Sequence, residues 1–80
     1  MIEKRAISRR RVFKLGTLAF HEGGSIDCMV RNMSSNGARI DIASPADLPT
    51  SFTLVIEADR FMRECRAVWR SDQHVGVAFD

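Results

Sequence analysis

Ile26-Asp27-Cys28-Met29-Val30-Arg31-Asn32-Met33-Ser34-Ser35-Asn36-Gly37-Ala38-Arg39-Ile40-Asp41-Ile42 reads as two alternating runs on either side of a turn. Ile26, Cys28 and Val30 alternate with Asp27, Met29 and Arg31, and Ala38, Ile40 and Ile42 alternate with Arg39 and Asp41. A period of two places every second side chain on one face, so each run is a strand with one buried side. Ser34-Ser35-Asn36-Gly37 breaks the pattern between them. Asn-Gly tolerates positive φ and is a strong turn signal, so the stretch is expected to be a β-hairpin.

The same period runs outward in both directions. Phe52, Leu54 and Ile56 form one face against Thr53, Val55 and Glu57, and Val75, Val77 and Phe79 form another against Gly76, Ala78 and Asp80. Glu22-Gly23-Gly24-Ser25 separates a first strand, about Phe13–His21, from a second, about Ile26–Asn32, as a hairpin loop does. Ser44-Pro45-Ala46-Asp47-Leu48-Pro49 is a longer connection whose two prolines exclude a central strand, with room for one helical turn. Ala58-Asp59-Arg60 and Ser71-Asp72-Gln73 close the last two hairpins. The reading is therefore all-β: six antiparallel strands, little or no helix and no internal repeat. An open sheet of this kind would leave its edges and one apolar face wet, and closure into a small barrel removes both liabilities. The expected core is Phe13 or Val12, Leu15, Leu18, Phe20, Ile26, Val30, Ile40, Ile42, Phe52, Leu54, Ile56, Val68, Trp69, Val75, Val77 and Phe79.

A chain of 80 residues is one domain, near the lower limit for folding without a metal or cross-links, and 45% apolar content is too high for disorder. No apolar run approaches the ~20 residues that span a bilayer. Met-Ile-Glu-Lys-Arg leads into further arginines, so no signal peptide is expected and a cytoplasmic location follows. Cys28 and Cys65 lie inside strands without a CxxC spacing, which suits reduced, buried thiols. His21 and His74 stand in no ligand-like pattern, so no metal or other cofactor is expected. Neither a nucleophile–base set nor paired carboxylates appear, which argues against an enzyme.

Charge divides the chain. Residues 1–14 carry Lys4, Arg5, Arg9, Arg10, Arg11 and Lys14 against the single acid Glu3, a local +5 in a chain of net +2. The remainder is therefore mildly acidic. A basic arm over residues 1–11, before a barrel over 12–80, is either an anion-binding appendage or a solvated tail. Arginine's planar fork matches phosphate oxygens and the O6/N7 edge of guanine, and its flat face stacks on purines. Arg5 and Arg9, four apart, can grip one compact ligand whether the arm is extended or helical. The turn admits two readings as well. Asn and Ser side chains there commonly bond their own backbone. The same groups of Asn32 and Ser34 can instead read the polar edge of a base, with Gly37 permitting close approach.

Taken together and in this order, Arg5-x-x-x-Arg9 and Asn32-x-Ser34-x-x-Gly37 resemble the two ligand motifs of PilZ domains, bacterial receptors for cyclic di-GMP. Gly37-Ala38-Arg39-Ile40, Val68-Trp69-Arg70 and Val75-Gly76-Val77-Ala78-Phe79 look like the family's flanking segments, so the resemblance runs from Arg5 to Phe79. It implies a six-stranded barrel of split or Greek-key type in which Arg5 and Arg9 hold guanines and phosphates. Asn32 and Ser34 would bond a base or adjacent phosphate, Gly37 would shape the turn, and Arg10 would add charge beside them. Many members carry a C-terminal helix or an output domain that this sequence does not show. Nucleotide binding would order the arm against the turn and so signal to an unidentified effector protein. Two other functions compete. One is a PilZ-like adaptor that binds protein without nucleotide, against which stands the complete motif set. The other is a nucleic-acid-binding barrel, against which stand the acidic body and the lack of exposed aromatics interleaved with basic residues.

Overall fold

The alternation becomes strand wherever it was read. The computed structural model describes residues 10–80, which form β1 (Arg10–Ala19), β2 (Ser25–Met33), β3 (Gly37–Asp41), β4 (Ser51–Ile56), β5 (Phe61–Ser71) and β6 (His74–Phe79). Every pairing is antiparallel, and the order β1-β2-β3-β6-β5-β4 closes on itself as a barrel. The expected all-β barrel is thus the observed one. β3 and β4 are not neighbours, so the proline-bearing connection crosses between them; it holds a single 3-10 turn at Pro45–Asp47 and buries Leu48. Arg10 and Arg11, placed in the arm on charge grounds, already belong to β1.

The core contains Leu18, Val30, Ile40, Phe52, Leu54, Ile56 and Val75, all fully buried, with Cys28, Ile42, Leu48, Cys65 and Val77 around them. Val12, Phe20, Ile26 and Phe79 are half-buried and pack against this set. Burial pushes the Cys28 thiol up to about 12 and the Cys65 thiol up to about 11, so both are unreactive at neutral pH.

Four expected core residues lie outside. Phe13 and Leu15 are 72% and 69% exposed. In β1 the even positions face inward, and an odd-numbered Phe13 cannot share a face with Leu18 in an unbroken strand. Gly16 occupies the inward place between them, where an added Cβ would stand 3.2 Å from Cys28 Sγ. Val68 and Trp69 are exposed because the β5–β6 ladder slips between Ala67 and Trp69, which ends the inward run of Cys65 and Ala67. The indole then covers the outside of Gly76, so close that a Cβ there would come within 2.1 Å of Nε1. An aromatic ring covering a cross-strand glycine is a recognised way to stabilise such a site.

Positive φ also falls elsewhere than at Asn36-Gly37. Gly23 and Gly24 take it in the first hairpin loop (φ 108° and 87°), as do Arg60 and Asp72 in the later ones (φ 53° and 50°).

Candidate functional site

The turn from β2 to β3 is braced by one serine. Ser34 N–H donates to the Gly37 carbonyl at 2.8 Å, and Ser34 Oγ accepts from Asn36 N–H at 3.2 Å and Gly37 N–H at 3.3 Å. The Ser34 hydroxyl proton has only a long contact, 3.4 Å to the Gly37 carbonyl. Its donor capacity is therefore weakly used and open to a better acceptor. The Asn36 carbonyl accepts from Phe79 N–H at 2.8 Å, which ties the turn to the end of β6. Gly37 serves this tie. An added Cβ would lie 2.2 Å from the Val77 carbonyl oxygen, so the glycine allows β3 to approach β6 and does not supply a left-handed turn position.

Register brings the basic end of β1 to this turn. Arg10 pairs with Met33 and Arg11 with Asn32, so the N-terminal end of β1 lies beside the strand end that leads into Ser34. Arg5 and Arg9 themselves lie outside the described residues. Cross-strand partners share a face. Arg11 therefore stands on the side of Asn32, while Arg10, exposed, stands on the side of Met33.

Both ladders around β2 slip at the same place. The β1–β2 register shifts between Arg11 and Lys14, and the β2–β3 register shifts between Val30 and Asn32. A bulge interrupts alternation, so Arg31 and Asn32 both face outward. From Asn32 the outer row continues to Arg39, then to Gly76 and the indole of Trp69. Arg39 is half-buried, and its Nε is shut off from solvent without a hydrogen-bond partner among the described residues. The row Arg11, Asn32, Arg39, Trp69 thus sets cations, an amide and an aromatic face side by side.

Next to it Arg31 Nη1 donates to Asp41 Oδ2 at 2.9 Å, and His74 Nδ1 donates to Asp41 Oδ1 at 2.7 Å. Burial alone would raise the Asp41 pKa; the bonds from His74 and Arg31 outweigh it and hold the carboxyl below its ordinary range. The Arg31 guanidinium lies over the Phe13 ring, 5.5 Å from its centroid, which is cation–π distance. An open depression of about 400 Å³ lies alongside, lined by Leu15, Met29, Asp41 and His74 among others.

The sequence reading named Asn32, Ser34 and Gly37 as site candidates and did not name Arg31, Arg39 and Trp69, which the structure sets beside them. The outward phase of Arg39 was visible in the alternation. The outward phase of Arg31 was visible there too, whereas the turning of Asn32 and Trp69 to the same outer face depends on bulges that leave no local signal. Among the described residues no group of three or more His, Cys, Asp or Glu could hold a metal ion, and no helix is long and apolar enough to cross a membrane.

Fold and site together define a class: a closed six-stranded barrel with a basic strand end set beside a serine-braced turn. The particular family follows from comparison. A family model of the PilZ domain matches residues 3–80, and the chain belongs to that family. A search of curated proteins finds no match.

Proposed function

We propose that the protein is a non-enzymatic cytoplasmic receptor for cyclic di-GMP that passes the binding event to a partner protein. The nucleotide is gripped between Arg5 and Arg9 of the arm and the turn, where Asn32 and the loosely held Ser34 hydroxyl meet a base or phosphate. Arg10 and Arg11 add positive charge at the junction. One observation carries this reading: the register Arg10–Met33 and Arg11–Asn32 sets the basic N-terminal end of β1 beside the Asn32–Gly37 turn. Membership of a family of cyclic di-GMP receptors supports it.

Charge-assisted arginine contacts contribute ~1.5–3 kcal/mol each. Arg9→Ala should therefore weaken binding about ten- to a hundredfold, since each ~1.4 kcal/mol is a factor of ten. Isothermal titration with cyclic di-GMP, beside GTP, checks this. Selective binding lost in the variant supports the receptor. No heat with the wild-type protein turns the reading to the adaptor, which the Ser34 bonds within its own turn favour. Pull-down for a protein partner is then the next experiment.

A further inference from the structure

We propose that Arg31 reads a guanine base, so that base selection resides in the barrel wall as well as in the arm. The inference rests on the receptor reading above and assigns a residue outside the two motifs. The paired register slips leave Arg31 and Asn32 consecutive on the outer face, which puts a third guanidinium directly beside the motif asparagine. Its orientation is fixed from two directions. Asp41 holds Nη1 at 2.9 Å and is itself held by His74 at 2.7 Å, while the Phe13 ring lies 5.5 Å from Cζ. Asp41 pairs with Met29 and Arg39 with Asn32, so the carboxylate pulls Arg31 Nη1 away from the turn.

A guanidinium carries five N–H groups, and the Asp41 contact engages Nη1. Nε and Nη2 remain as an adjacent pair, which is the fork that matches guanine O6 and N7. An arginine already held at one edge loses less side-chain freedom when the other edge is engaged. Adenine presents an amino group where guanine presents O6, so it would set a donor against this fork. With its charge compensated by Asp41, Arg31 contributes discrimination between bases more than attraction for phosphate.

The test titrates wild type, Arg31→Lys, Asp41→Asn and Arg9→Ala with cyclic di-GMP and with cyclic di-AMP, with thermal unfolding recorded for each. Lysine keeps the charge and lacks the fork. Arg31→Lys is expected to lose about tenfold in cyclic di-GMP affinity with cyclic di-AMP affinity unchanged, the size of one bidentate base contact. Asp41→Asn should shift the ratio in the same direction by a smaller factor, because the fork survives without its anchor. A role confined to folding would lower both affinities together, or the unfolding temperature, without moving the ratio. If wild type binds cyclic di-GMP and Arg9→Ala weakens it, an unchanged ratio in Arg31→Lys overturns this inference alone. If wild type binds neither nucleotide, the receptor reading fails and this inference with it.

Discussion

A methyl group added at Gly37 would stand 2.2 Å from the Val77 carbonyl oxygen and 3.3 Å from Ala78 Cα. Both are backbone atoms of β6, so the contact cannot be relieved by turning a side chain. Gly37 N–H also donates to Ser34 Oγ and the Gly37 carbonyl accepts from Ser34 N–H, so displacing residue 37 disturbs the turn that carries Ser34. Gly37→Ala is expected to destabilise by ~1–3 kcal/mol, the usual range for overpacking. A lower urea midpoint with an unchanged slope would show it. Wild-type stability in that variant would mean that β3 and β6 do not approach as described. The motif glycine was legible in the sequence as a turn residue, but its reason was not. The need for glycine arises from a strand some 40 positions later, and no local pattern records that neighbour.

β1 shows how much an element discloses by itself. Its existence was plain from the apolar spacing, and its inward face was not, because Phe13 and Leu15 offer one phase while Leu18 and Phe20 offer the other. The barrel chooses the second: Leu18 is fully buried between Ile26 on β2 and Leu54 on β4, and Gly16 fits against Cys28. Leu18→Ala should therefore cost ~2–5 kcal/mol, the range for deleting a core leucine. Leu15→Ala should stay within ~0.5 kcal/mol, as exposed substitutions do. Denaturant titration of the pair checks the phase, and equal losses at the two positions would reject it. β5 carries the same lesson. Its alternation was readable through Cys65 and Ala67, and the bulge at Val68 then turned Trp69 to the surface over Gly76. The hairpins and the strand number were legible because turn residues and period two are local. Bulges answer to the curvature of the closed barrel, which is set by all six strands.

Across the whole molecule, Asp41 joins three neighbouring strands of the barrel, accepting from Arg31 on β2 and from His74 on β6 while itself belonging to β3. Its side chain is 22% exposed, so solvent weakens these contacts only in part. Hydrogen bonds involving charged groups contribute ~1.5–3 kcal/mol each when well sheltered, and exposed pairs ~0–1 kcal/mol. The Asp41 pair falls between these limits. Because the folded carboxyl titrates below its ordinary value of 3.8, its contribution is present above that value and is lost as pH falls through the folded pKa. Asp41→Asn, which keeps the shape and removes the charge, should thus lower the urea midpoint at pH 7. As pH falls through the folded pKa and wild-type Asp41 takes up its proton, the difference between the two proteins should shrink. Acid then acts on the same three-strand tie that orients Arg31, so cyclic di-GMP selectivity should fall over the same pH window if Arg31 reads the base. A stability gap that keeps its full size at low pH would show that Asp41 works through shape alone, and the anchored fork at Arg31 would lose its electrostatic basis.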